Sequence, residues 1–150
     1  MERKWRDRKR IRLPAGAYWE VGSVWHVTVA ADEGLAGDVV VAVAERCVAR
    51  GASLELFCLM PDHLHLLVRV GAVGLVEVVG DVKSRTTRGW WAHGGNGALW
   101  QRSFHDHGIR GGRDFDETVR YIVENPVKAG LVEDWREYPF TGGALIEEGQ

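Results

Sequence analysis

Pro61-Asp62-His63-Leu64-His65-Leu66-Leu67-Val68-Arg69-Val70 is the stretch on which the reading of this chain turns. Its apolar run from His63 to Val70 reads as a strand, and Leu54 to Leu59 reads as its partner across a Pro-Asp turn. Alternate strand residues share a face and lie about 7 Å apart along it, so His63, His65 and Leu67 stand on one side while Leu64, Leu66 and Val68 stand on the other. Two neutral imidazoles on one face can grip a divalent ion, with a third ligand drawn from elsewhere in the chain.

A candidate source is Thr118-Val119-Arg120-Tyr121-Ile122-Val123-Glu124-Asn125, which reads as helix. The four-residue offset of Tyr121 and Asn125 puts both side chains on one helix face, about a turn apart. A phenol beside a metal ligand suits phosphodiester cleavage, in which the metal polarises the phosphate and the phenol attacks phosphorus. Plainer readings stand beside this one. A strand histidine is often a polar core residue, and a tyrosine on an amphipathic helix often packs with its hydroxyl at the surface. Asn125, before Pro126, reads equally as the cap of a short turn from Pro126 to Ala129 that Gly130 ends.

The other elements follow from pattern. Trp25 to Ala30 reads as a β-branched strand. Val39 to Ala49 reads as a helix capped by Asp38 and ended by Gly51, and Val73 to Trp91 as a second helix weakened by Gly80. Phe104 to Ile109 reads as a short strand, and Asp116 as the cap of a tyrosine helix over Glu117 to Glu124. The order predicts an α+β fold: a ferredoxin-like antiparallel sheet (βαββαβ) with helices on one face and an added C-terminal helix carrying the tyrosine. The opposite face is expected to be left for DNA and metal. Residues 1–13 read as a basic N-terminal arm, 14–143 as the catalytic domain and 144–150 as a short acidic tail.

At 150 residues, with 45% hydrophobic residues, the chain is expected to form one domain with a real core. No run approaches the eighteen or so apolar residues of a membrane helix, so a cytoplasmic protein is expected. Cys47 and Cys58 lack metal-type spacing and read as small reduced core residues. The net charge of −2 hides an uneven distribution: residues 1–13 carry +5, which leaves −7 for the remainder. A second basic tract holds Lys83, Arg85, Arg88, Arg102, Arg110 and Arg113, with Trp90, Trp91 and Trp100 interleaved. Cations for phosphates and indoles for unpaired bases are what a single-strand site needs. The alternative is a solvated helix face with core tryptophans.

Four segments taken together resemble the transposase family that carries a His-hydrophobe-His (HUH) motif and a single catalytic tyrosine, and within it the REP-associated tyrosine transposases. These are Cys58 to Val68, Leu99-Trp100-Gln101-Arg102-Ser103-Phe104, His107-Gly108-Ile109-Arg110, and Tyr121 to Leu131; Trp25-His26-Val27-Thr28 fits the family's N-terminal strand. The resemblance spans roughly Ile11 to Gly143. One departure is Ala30, where members often carry Arg.

The resemblance implies that His63 and His65 bind a divalent metal, Mg²⁺ or Mn²⁺, with Asn125 in place of the third ligand and Tyr121 as nucleophile. It implies nicking and strand transfer on single-stranded or hairpin DNA through a 5′-phosphotyrosine, without a nucleotide cofactor. Lys83, Arg85, Arg88, Trp100, Arg102, Arg110, Arg8 and Arg10 are the candidate DNA contacts, and a monomer is expected over a homodimer. Two alternatives are kept open: a non-catalytic single-stranded nucleic-acid binding module, and a metal-dependent nuclease in which water attacks. The first gains ground if Tyr121 is buried and remote from the histidines.

Overall fold

A computed structural model of the chain describes residues 9–11, 23–31, 52–71 and 75–148. The described strands are β1 (Lys9–Ile11), β2 (Val24–Ala30), β3 (Ser53–Leu59), β4 (His63–Arg69), β5 (His105–Gly108), β6 (Thr141–Gly142) and β7 (Ile146–Glu148). The described α-helices are α1 (Leu75–Ala92) and α2 (Gly112–Lys128). The fold is α+β, with an antiparallel sheet in the order β5-β2-β4-β3-β6 and a separate β1-β7 pair. Lys9–Ile11 of the basic arm is thus joined to Ile146–Glu148 of the acidic tail. The helix expected over Val39 to Ala49, with Asp38, Cys47 and Gly51, lies outside the described residues.

Strands β2 to β5 end within one residue of their expected bounds. Period-two alternation sorts their side chains: Val27, Val29, Leu64, Leu66 and Val68 pack with Val78, Val79 and Val82 of α1. The expectation that the helices leave the other face open needs correction. A β-bulge between Leu54 and Leu56 shifts the alternation of β3, so Leu56 and Cys58 turn to the histidine face beside Leu67. That half of the face is apolar and would meet water if left bare. Helix α2 covers it with Phe115, Val119, Ile122 and Val123, spaced as one helical stripe and each at most 1% exposed. Burying a side chain of this size contributes about 1.5–3 kcal/mol, so the tyrosine helix is held firmly on the histidine side of the sheet. Cys58 is buried there and receives a hydrogen bond from Thr141.

Helix α2 also departs from its expected ends. It starts at Gly112, with Gly111 (φ 126°) at the cap, so Asp116 lies inside the helix and caps nothing. At the other end it continues through Asn125 and Pro126 to Lys128, and Asn125 is a helical residue instead of a turn cap. Proline lacks the N–H that would bond the Ile122 carbonyl, but its ring is buried with the rest of the stripe, and packing outweighs the local cost. Gly130 (φ 76°) ends the helix as expected, its N–H bonding Val127 O while Leu131 N–H bonds Pro126 O.

Candidate active site

The site is assembled by strand register. Thr28 of β2 lies opposite His65 of β4, and His26 lies opposite Leu67; on the other edge of β2, His105 faces Thr28 and His107 faces His26. Side chains of paired residues share a face, so His26, His63, His65, His105 and His107, five of the six histidines, occupy the α2 side of the sheet. Three are in direct contact. His63 Nε2 and His65 Nε2 are 3.1 Å apart, and His65 Nδ1 lies 3.0 Å from His26 Nε2 and 3.3 Å from Thr28 Oγ1. His63 Nδ1 donates to Asp62 Oδ1 at 2.7 Å.

Tyr121 stands over this row from α2. Its ring centroid is 5.7 Å from that of His65 and 5.9 Å from that of His26, both edge-on, and Lys128 Nζ sits 5.6 Å above the ring. Tyr121 is 47% exposed although its neighbours Ile122 and Val123 are buried, because it lies at the margin of the apolar stripe. A hollow of about 330 Å³ beside it is lined by His26, Asp114, Glu117 and Thr118. Asn125, a turn further along α2, is half-buried.

Burial governs the electrostatics. His65, 2% exposed, has its pKa pushed down to about 3, first by burial and then by repulsion from His26 and His63. His26 is pushed down to about 4 by burial and the nearby His107, against an opposing pull from Asp114. Both rings are therefore neutral near pH 7 and carry lone pairs.

Cis ligands about 2.1 Å from one octahedral cation lie about 3.0 Å apart. The 3.1 Å separation of the His63 and His65 Nε2 atoms fits two ligands of one ion. Among the described residues no three His, Cys, Asp or Glu are grouped as a metal site; Asn125, the expected third ligand, would bring an amide oxygen, a donor type that suits Mg²⁺ or Mn²⁺.

The candidate DNA contacts do not gather at this site. Lys83, Arg85 and Arg88 are on α1, across the sheet from the histidines. Lys83 Nζ is tied to the carbonyls of Gln101 and Arg102 at 2.7 and 3.0 Å, and Arg85 pairs with Asp81 at 3.0 Å. Trp100 is corrected as a stacking platform: it is 6% exposed and packs in the α1 core, donating to Thr86 Oγ1 at 2.7 Å. Trp91, 51% exposed, lines a hollow of about 510 Å³ together with Lys83, Thr87, Arg88 and Trp100. Arg102 and Arg110 are exposed near β5. Arg10 lies on β1, and Arg8 lies outside the described residues.

His26, Thr28, Asp62, His107 and Asp114 are not among the residues expected at the site from sequence. The alternation His26, Thr28 against Val27, Val29 marks a polar face, but which strand that face adjoins is a matter of pairing. Asp114 is tied to His107 across the start of α2, which the sequence reading placed further along the chain.

The same arrangement of sheet and helices occurs in a solved REP-associated tyrosine transposase bound to a REP hairpin. The match has a TM-score of 0.67 at 24% identity and covers 80% of this chain and 76% of the other. In sequence, the chain is 30% identical over 95 residues to a REP-associated tyrosine transposase of Escherichia coli K12, covering 61% of this chain. It is 28% identical over 96 residues to a protein of Haemophilus influenzae given the same name provisionally, covering 56% of this chain. The matched region is 54% of each relative, so the chain spans about half the length of the curated relatives it matches. These relatives are distant homologues. The family described as transposase IS200 like matches residues 27–125, an interval that runs from β2 through the histidine strand to Asn125 on α2. That interval is well over half of the chain, and the protein belongs to the IS200-like transposase family.

Proposed function

We propose that the chain is a metal-dependent single-stranded DNA transesterase that nicks and rejoins hairpin-forming DNA through Tyr121. One observation carries this reading: Tyr121 is exposed and its ring is 5.7 Å from that of His65, whose Nε2 faces that of His63. A tyrosine neither buried nor remote from the histidines favours catalysis over a binding module. The strand order β5-β2-β4-β3 is the one a βαββαβ chain makes in a ferredoxin-like sheet. The hairpin held by the solved relative supports hairpin DNA as the substrate class.

In this reading His63, His65 and Asn125 hold Mg²⁺ or Mn²⁺, which when bound supplies Lewis-acid polarisation of the scissile phosphate. The Tyr121 hydroxyl attacks phosphorus in line. The new bond is the tyrosyl ester to the 5′ phosphate; the bond broken is that to the 3′ oxygen, which leaves as a free hydroxyl after taking a proton. The ester keeps the bond energy, so a 3′ hydroxyl can attack it and reseal the strand. Lys128, above the Tyr121 ring, places a positive charge where a phosphate would approach. Arg88 and Arg102, both exposed, are the candidates to hold phosphates further out.

The test mixes wild type and Tyr121→Phe with labelled single-stranded hairpin oligonucleotides and Mg²⁺ or Mn²⁺. An SDS-resistant adduct from the wild type alone is the expected result. Tight binding with neither adduct nor cleavage would point to a binding module. Cleavage by both proteins without an adduct would point to attack by water.

A further inference from the structure

A phenol is a weak acid and keeps its proton near neutral pH, so attack by Tyr121 requires a group that takes that proton as the bond to phosphorus forms. Helical side chains lean toward the N-terminus of their helix, over the residues one turn back. The hollow of about 330 Å³ beside Tyr121 agrees: its other α2 lining residues, Asp114, Glu117 and Thr118, all precede the tyrosine, and His26 lines it from the sheet. The phenol therefore extends along the turn that carries Glu117, four residues earlier on the same helix face.

The titratable groups around Tyr121 are His26 and His65 from the sheet, Asp114 and Glu117 from the preceding turns of α2, and Lys128 from its last turn. An ammonium only donates, so Lys128 is no acceptor. His65 is buried and belongs to the proposed metal site, and His26 sets its Nε2 3.0 Å from His65 Nδ1. Asp114 is engaged: both its oxygens take the His107 ring N–H, one also takes the Arg110 N–H, and Thr118 bonds the same carboxylate. Glu117 is the second carboxylate of the hollow, and it is exposed.

We infer that Glu117 is the general base of the reaction: its carboxylate takes the Tyr121 hydroxyl proton as the oxygen attacks phosphorus. The inference rests on the reading of Tyr121 as nucleophile and adds the proton acceptor that reading lacks. The O–H bond breaks with its electron pair left on the phenol oxygen, which forms the bond to phosphorus, and the proton goes to a Glu117 oxygen. The electron pair of the broken P–O bond leaves with the 3′ oxygen, which takes a proton from water. In resealing, the Glu117 carboxylic acid returns its proton to the departing phenol oxygen, so one residue serves both directions. Lys128, 5.6 Å from the ring centroid, reaches back from the end of α2, and the tyrosine stands between a proton acceptor and a cation.

The experiment follows single-turnover formation of the SDS-resistant adduct on a labelled hairpin oligonucleotide with Mg²⁺. It uses the full chain as wild type, Glu117→Gln, Asp116→Asn and Tyr121→Phe, with hairpin affinity measured alongside. Glu117→Gln should slow adduct formation about 100-fold or more. It should bind the hairpin at least as tightly as the wild type, since it removes a negative charge from the approach of a phosphate. Asp116→Asn removes the neighbouring exposed charge and should leave the rate unchanged. A second pair of proteins carries a fluorinated, more acidic tyrosine at position 121, with and without Glu117→Gln. Such a phenol needs less help to lose its proton, so the Glu117→Gln defect should shrink severalfold there. A defect of equal size with both tyrosines would overturn the inference and leave Glu117 a contact for DNA. So would a Glu117→Gln protein that reacts at the wild-type rate. Absence of an adduct from the wild type itself would overturn the reading of Tyr121, and the inference with it.

Discussion

Asp114, in the first turn of α2, takes the ring N–H of His107 on β5 with both carboxylate oxygens, at 3.1 and 3.0 Å, and the backbone N–H of Arg110 at 2.8 Å. This clasp ties the start of the tyrosine helix to the edge of the sheet. Asp114→Ala should lower stability by about 1 kcal/mol, the sum expected of a lost helix-start hydrogen bond and a partly exposed pair. That corresponds to a fall of about 2–4 °C in Tm. Burial pushes the Asp114 carboxyl up, but the bonds from His107 and Arg110, the His107 charge and Thr118 together hold it below the ordinary carboxylate range. A depressed carboxyl stabilises the fold above its unfolded value and loses that contribution as pH falls through the folded one. The Asp114→Ala difference should therefore shrink in acid, and thermal melts at pH 7 and pH 3 check it; an equal difference at both would refute the clasp.

His63 and His65 should separate in their effect on folding while sharing an effect on metal. His65 is 2% exposed and wedged between His26 and Thr28, so His65→Ala should cost about 2–4 kcal/mol from the cavity and the orphaned partners. The His63 side chain is 26% exposed and pairs with a largely solvated Asp62, so His63→Ala should cost under about 1 kcal/mol. Urea unfolding in EDTA measures both, and equal losses would contradict the geometry.

Acid should weaken the metal-free protein through its buried histidines. Folding lowers His26 to about 4 and His65 to about 3, whereas in the unfolded chain each returns to the ordinary imidazole value of 6.5. Between those limits the unfolded state binds more protons, so stability is full above 6.5 and declines as pH falls below it. Urea midpoints in EDTA should drop between pH 7 and pH 5, and the drop should be smaller in His26→Gln/His65→Gln. An identical slope for both proteins would mean that other groups drive the acid response.

Gly143 anchors the last segment against the bulge of β3. Its φ of 114° lies in the region that favours glycine, and a Cβ there would come within 2.7 Å of the Glu55 carbonyl oxygen and the Leu56 Cα. The neighbouring Ala144 and Leu145 N–H groups bond Leu54 O and Glu55 O at 3.1 and 2.8 Å, so the loop has little freedom to retreat. Gly143→Ala should cost about 1–3 kcal/mol, read by chemical unfolding. Gly80→Ala is the control, since a Cβ there meets nothing within 4 Å and helix propensity alone predicts a small gain.

Period two in His63-Leu64-His65-Leu66 and period 3.6 in the Tyr121 segment are properties of the chain itself, and they put the two histidines together and the tyrosine a turn from Asn125 before any folding is considered. Pattern likewise reached β2, the β3-β4 hairpin, β5 and the glycine stop at Gly130, because local sterics and turn chemistry govern each. The side of the sheet that α2 occupies was not legible. It depends on the bulge at Glu55, which turns Leu56 and Cys58 over to the histidine face and makes that face apolar enough to require a cover. Nor could pattern tell that Trp100 is core or that His26 reaches His65, since both follow from which elements lie side by side. Local periodicity decides where a side chain points along its own element. Only the pairing of distant strands and the burial of apolar surface between layers decide what it points at.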